Sequence, residues 1–467
     1  MENQLNAHTI RFTQRSFLLI IASVSKVAVQ LLVLYIYANR LSLDDYGHYQ
    51  SVWLYANFCS VIGLFGTQAI LLSNSGIQLQ HWIRSHIRSF LYAAIILNTL
   101  PLLYILLAVN SLFLPEKALL CVFIICQNIS ILAETIAIKQ EQEKRVLLVN
   151  LLYYILFLAV HLWMINRPVF SLMQLLIGFI ALAILKTMCL VKRTDKVTDA
   201  VKPETAGIGK QWLYLGLHDV IDVVFKWIDK WLILTFISVQ QFAIYYNGSY
   251  EIPVYPLLLT AVSNIMLVEL SKLKKEKLSR SVDIYNRSGY FLGSFIFPLF
   301  CFLLLFHREL FLFVFGEKYA TAIPVFLVSI FVLPVRTAYY TAVLQVHHRN
   351  DIILKGAILD LVLAVLFMAI LYPLFGLPGL AGAFVLSTYI QAGYYLWYTS
   401  SILKVPVSSI LPFGYFIGIF CVSMIIMAGC HLLVKEQPAI VSLATGAAAA
   451  AVLCAAALLF LYRRKAI

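Results

Sequence analysis

The chain has 467 residues, of which 62% are hydrophobic and only 12% charged, with a mean hydropathy of +0.88 and a net charge of +13. A soluble globular protein carries about a quarter of its residues as Asp, Glu, Lys and Arg. Half that density leaves too little polar surface to cover a particle of 52.8 kDa, which excludes a soluble enzyme, a nucleic-acid-binding domain and a disordered chain. An integral membrane protein remains, and apolar runs of about 20 residues point to spanning helices, not to the shorter alternation of an outer-membrane barrel.

Taken in order, the apolar segments predict spans at 17–39, 49–72, 89–110, 118–138, 147–166, 169–191, 212–238, 243–268, 288–307, 321–345, 352–375, 379–400, 410–433 and 439–462. The polar start with Arg11 and Arg15 reads as an uncleaved signal-anchor. The longest hydrophilic stretch, 192–211, follows the sixth span and reads as a cytoplasmic linker between two halves. The halves echo each other. DDYGHYQSVWLYANF (44–58) pairs with QQFAIYYNGSYEIPV (240–254), aligning Tyr46 with Phe242, Gly47 with Ala243 and Tyr49 with Tyr245. SLFLPEK (111–117) pairs with LFVFGEK (312–318) at nearly the same offset. Six spans is an even number, so the duplicated halves share one orientation, with a substrate site expected between them. The expected fold is an all-α polytopic membrane protein of about fourteen transmembrane helices, built from two parallel six-helix repeats plus two C-terminal helices. Its divisions are 1–191 (N-terminal bundle), 192–211 (linker), 212–400 (C-terminal bundle) and 401–467 (two further helices and a basic tail).

Charge position tests the orientation. Even-numbered junctions and both ends of the chain hold 24 of the 35 Lys and Arg, and odd-numbered junctions hold 6. The excess of cations on one side places both termini in the cytoplasm. Topology thus accounts for the basic balance, and no nucleic-acid partner is expected. The eight cysteines all lie in apolar stretches without metal-type spacing and read as small packing residues.

Charges inside spans are expensive and mark function by default, at no less than about 2.5–3.5 kcal/mol each. The seventh span carries Asp219, Asp222, Lys226, Asp229 and Lys230. Helical geometry gathers all five within an arc of about 100° and sends Trp227 and Trp231 elsewhere. That face predicts a cavity lining, with an amphipathic surface helix as the alternative. Lys26 in the first span and Arg336 in the tenth are deep cations suited to phosphate oxygens. Glu134, Glu251 and Asp360 are deep carboxylates. They could bind and release a proton or Na⁺, or pair with a cation on another helix.

The segments RLSLDDYGHYQSVW (40–53), Asp229-Lys230 with the following LILTFISVQQFAIYYNGSYEIP, FGEKYATAIPVFLV (315–328) and GLPGLAGAFV (376–385) together resemble one family. It is the polysaccharide-transporter branch of the multidrug/oligosaccharidyl-lipid/polysaccharide exporter superfamily, the Wzx-type flippases. The resemblance implies translocation of undecaprenyl-pyrophosphate-linked oligosaccharide units from the cytoplasmic to the outer leaflet by alternating access, driven by an H⁺ or Na⁺ gradient, in a bacterial inner membrane, for O-antigen, capsule or exopolysaccharide. It carries over the Asp229-Lys230 pair, and Lys26 by region alone. Mainly on the cost of burying charge in spans, Lys26, Lys226, Lys230 and Arg336 are the expected substrate contacts, and Asp219, Asp222, Asp229, Glu134, Glu251 and Asp360 the expected cavity or ion-coupling groups. A polysaccharide polymerase and a chain-length regulator are the expected protein partners. The alternatives are a drug or cation exporter of the same superfamily, a membrane glycosyltransferase, a polysaccharide polymerase or ligase, and a scaffold. Neither catalytic triad nor metal motif nor nucleotide-binding loop stands in the sequence, so no cofactor and no enzymatic activity are expected.

Overall fold

The computed structural model describes residues 25–74, 76–140, 142–191, 207–251, 254–271, 278–347 and 349–463. Most of the expected linker, the first residues of the first span and the basic stretch 272–277 lie outside them. Among the described residues every regular element is a helix. Contacts divide the chain into two units, Met1–Ala243 and Ile244–Ile467. Nine of the described helices are long and apolar enough to cross a membrane, or ten if the bent pair at 43–73 is one span. The protein is therefore a multi-pass, all-helical membrane protein.

In the first unit, α1 (25–40) leads into α2 (Leu43–Leu64), α3 (Thr67–Ser73), α4 (Gly76–Ser85), α5 (Ile87–Ala108), α6 (Leu114–Lys139), α7 (Glu143–Ile165), α8 (Leu172–Leu190) and α9 (Ile208–Phe236). Ser42 starts α2: its hydroxyl accepts from the Asp45 amide (3.1 Å), and Asp44 and Asp45 sit at the positive end of the helix dipole. Helices α6, α7 and α8 pack on one another and α2 packs on α5, α6 and α9. An aromatic core of Tyr37, Tyr49, Trp53, Phe123, Phe157 and Phe179 closes around His161. The His161 ring is satisfied on both sides, by the Phe157 carbonyl at 2.7 Å and the Tyr49 hydroxyl at 3.1 Å.

The span expected at 49–72 is not straight. It bends by 51° where α2 passes into α3. Phe65 and Gly66 both take left-handed backbone conformations there (φ 37° and 70°). Gly66 lies directly against the Gly216 backbone of α9, where a Cβ on either glycine would collide with its neighbour. Only glycine fits both the φ and the close approach.

The division falls after Ala243, so α9, the helix of the seventh expected span, packs with α2 and α3 in the first unit. Helix α10 (Val239–Gly248) straddles the division. The echoed residues are packed alike: Tyr46 and Tyr49 near the start of α2, and Phe242, Ala243 and Tyr245 near the start of α10, are all buried.

The second unit comprises α11 (Val254–Ser271), α12 (Leu278–Leu305), α13 (His307–Phe315), a segment from 317 to 346, α16 (Asn350–Phe375), α17 (Leu377–Leu403), α18 (Val407–Ile410), α19 (Phe413–Val434) and α20 (Ala439–Arg463). Helices α16 and α17 form a hairpin turning at Gly376 (φ 62°), while α12 packs against α19 and α20. The 317–346 segment is broken into a 3₁₀ turn (Glu317–Ala322), α14 (Ile323–Ile330), a second 3₁₀ turn (Leu333–Thr337) and α15 (Ala342–Val346), with Ala338 extended. Breaking a helix frees carbonyls that must find donors. The Tyr389 hydroxyl donates to the Phe331 carbonyl (2.9 Å), and the Tyr285 hydroxyl to that of Tyr339 (2.7 Å).

Candidate functional site

A cavity of about 450 Å³ lies within the first unit, walled by α2, α3, α6 and α9. Gly66, at the bend, is part of its wall. Asp219, Asp222, Lys226 and Trp227 of α9 form one wall, and Asn57, Ser60, Gln68 and Gln127 face them. Lys226 donates to Asp222 Oδ2 at 2.7 Å, across one helical turn. His218 Nδ1 stands 3.6 Å from Asp219 Oδ1. All three charged side chains are about half exposed, consistent with a hydrated space. Ser60 is buried, and its hydroxyl has no hydrogen-bond partner in the described protein; the same holds for Oε1 of Gln127.

Of the five charges expected on one face of α9, the structure brings three into this cavity. The other two, Asp229 and Lys230, pair at 3.3 Å, and Asp229 also accepts from the Lys230 amide (2.8 Å). Asp229 is only 4% exposed, so this pair is packed into the unit and does not line the cavity. Trp227, expected off the charged face, stands on the cavity wall, whereas Trp231 leaves it to donate to the Tyr104 hydroxyl (2.9 Å).

A second polar cluster in the same unit joins α6, α7 and α8. Lys186 pairs with Glu134 at 2.6 Å, and Asn150 donates to the other Glu134 oxygen at 2.8 Å. Glu134 thus has the cross-helix partner that the sequence left open. Lys26 is exposed on α1, within electrostatic reach of both charges of that pair.

The remaining charges belong to the second unit. Arg336 sits at the end of the second 3₁₀ turn, half-buried, and its Nε has no hydrogen-bond partner in the described protein. Its charge is felt by Tyr255, Tyr340 and Asp360. Asp360 on α16 is 1% exposed, with Oδ1 unpartnered within the described protein. Glu251, expected inside a continuous eighth span, instead lies in non-helical chain between α10 and α11, and is exposed.

The uncharged wall residues Asn57, Ser60, Gln68 and Gln127 escaped a reading based on charges. Their signal was there: Asn57 and Ser60 are three apart on a helix, and amides are uncommon in apolar spans. Among the described residues no three or more His, Cys, Asp or Glu side chains converge as a metal site would require.

Residues 36–324, more than half of the chain, match the family described as polysaccharide biosynthesis protein. The chain belongs to this family. No functionally curated protein is similar enough in sequence to match it. Two solved structures share the fold of this polysaccharide biosynthesis protein. One is the lipid II flippase MurJ in its inward closed conformation, with a TM-score of 0.64 and 15% identity over 95% of this chain and 99% of that one. The other is the inward-facing conformation of a multidrug resistance MATE family transporter of the MOP superfamily, with a TM-score of 0.59 and 14% identity over 80% of this chain and 95% of that one. At such identity the likeness is one of fold.

Proposed function

We propose that the protein is a flippase that carries undecaprenyl-pyrophosphate-linked oligosaccharide units from the cytoplasmic to the outer leaflet of a bacterial inner membrane, by alternating access and at the expense of an H⁺ or Na⁺ gradient. The observation that carries this reading is a charged, amide-lined cavity inside a membrane-spanning unit of a polysaccharide biosynthesis protein. Moving the headgroup unaided is prohibitive. The idealised transfer of each pyrophosphate charge into hydrocarbon costs on the order of 20 kcal/mol, and every sugar hydroxyl adds to it. A hydrated path lined by fixed polar groups removes most of that barrier without any bond being made or broken.

In this reading fourteen helices span the bilayer with both termini cytoplasmic, and the chain is two parallel six-helix repeats followed by α19 and α20. Lys26 and Arg336 contact the pyrophosphate, Asp360 takes up the coupling ion, and the product feeds synthesis of a surface polysaccharide such as O-antigen or capsule. Deleting the gene in its host tests this. Finished lipid-linked units should accumulate on the cytoplasmic face and surface polysaccharide should disappear. Unchanged glycolipids and polysaccharide would refute it.

One observation favours a second reading. The cavity holds two carboxylates against one ammonium, a balance that suits export of an organic cation. Efflux of cationic dyes lost with the gene, while glycolipids stay unchanged, would select it.

A further inference from the structure

We infer that the first-unit cavity receives the glycan and not the pyrophosphate, and that it admits uncharged or amino-bearing sugars while rejecting sugars that carry a carboxylate. The inference rests on the flippase reading and deepens it.

The argument is one of hydrogen-bond inventory. Among the described residues Lys226 is the only cation on the wall, and it already donates to Asp222 at 2.7 Å. That contact uses Oδ2 of Asp222, and ionised carboxylates are acceptors at both oxygens. Asp219 adds two more acceptor oxygens. Gln127 presents an amide oxygen with no donor in the described protein. The buried Ser60 hydroxyl, likewise unpartnered, can either donate or accept. The amides of Asn57, Gln68 and Gln127 carry donors as well as acceptors, so what sets this wall apart is its charge, two carboxylates against one ammonium among the described residues.

The two carboxylates and the Gln127 oxygen are met by a ligand that brings donors and no negative charge. Sugar hydroxyls, acetamido N–H groups and ammonium groups do so, and the Trp227 indole offers the apolar surface against which the C–H face of a sugar ring can lie. A phosphate or a uronate brings only acceptors and a charge of the wrong sign. Opposing like charges across a binding site is how proteins exclude close competitors. About 450 Å³ is room for one or two sugar rings and lies within the usual range of small-molecule sites.

The test uses the full-length protein in lipid nanodiscs and three synthetic lipids with the same undecaprenyl pyrophosphate anchor. Their headgroups are an uncharged N-acetylhexosamine disaccharide, the same disaccharide with one free amine, and one in which a uronic acid replaces a sugar. Binding is compared pairwise by native mass spectrometry, and flipping is followed in proteoliposomes. The uncharged and amino lipids should outcompete the uronate lipid by about tenfold or more. The double substitution Asp219→Asn with Asp222→Asn should bring that ratio close to one, and Ser60→Ala should weaken binding of the uncharged lipid. Size-exclusion profiles matching the unsubstituted protein check that the variants fold. Equal or preferential binding of the uronate lipid overturns the inference, and flipping of all three lipids would then leave the flippase reading standing. A preference unmoved by the double substitution also overturns it, because the selectivity would reside elsewhere. Failure to bind or flip any of the lipids overturns the flippase reading and the cavity assignment together.

Discussion

Two contacts in the first unit show how little freedom single positions have. Gly216 faces the Phe65 ring so closely that a Cβ would overlap it. Gly216→Val should lower stability by about 1–3 kcal/mol, the usual cost of overpacking, read as a fall in melting temperature in detergent. Adding Phe65→Ala should recover part of the loss, and no recovery would mean that the strain lies elsewhere. Glu134 is the counter-charge of the mostly buried Lys186. Glu134→Ala leaves that ammonium unpaired, on the order of 3 kcal/mol, so the double variant with Lys186→Ala should melt higher than the single one. A double variant no more stable than Glu134→Ala would show that the two charges do not depend on each other. Residues such as these were half legible. Formal charges inside spans stand out in any sequence, and Glu134 and Asp360 are indeed buried or mostly buried. Which partner each takes depends on helix neighbours that periodicity does not reveal. Asn57, Ser60 and Gln127 carry no charge, so their spacing and amide content are a fainter signal than a formal charge, and the structure adds that they share one cavity.

Helices and their ends were easier to read than their interruptions. The segments that carried the family resemblance turn out to be stops and starts. LSLDD holds the Ser42 cap, in FGEKY the Gly316 amide donates to the Leu312 carbonyl at 2.9 Å to close α13, and GLPG holds the Gly376 turn. Capping chemistry is local, so it shows in sequence. It reports architecture and says little about cargo. The breaks at 65–66, at 249–251 and through 331–341 lie within expected continuous spans, because hydropathy averages over about 19 residues and a break of a few residues barely moves that average. Pro334 marks the third break but is ordinary in membrane helices. The tyrosine hydroxyls that cap the freed carbonyls there make a clear prediction. Tyr285→Phe leaves the Tyr339 carbonyl unpaired among buried side chains, which should cost about 1–3 kcal/mol and show as a lower melting temperature. An unchanged value would mean that another donor replaces the hydroxyl.

At the scale of the molecule, the distribution of Lys and Arg remains the strongest statement about orientation, with 24 in the ends and junctions expected to be cytoplasmic against 6 in the others. It predicts the accessibility of positions far apart in sequence. In a background without native cysteines, Phe113→Cys should react with an impermeant maleimide in intact cells, and Lys404→Cys only after permeabilisation. The reverse pattern would invert the topology and with it the direction of transport. Both positions are exposed in the structure, so reactivity reports the side of the membrane and not burial. The cavity wall has one more consequence, and it is an optical one. Trp227 is among only seven tryptophans in 467 residues, and it borders the space that a sugar would enter. Displacing water from an indole shifts its emission to shorter wavelength, so the fluorescence lost on Trp227→Phe is a built-in gauge of occupancy. The unlabelled protein can therefore be titrated, and cargo can be followed in real time from inside the path it takes.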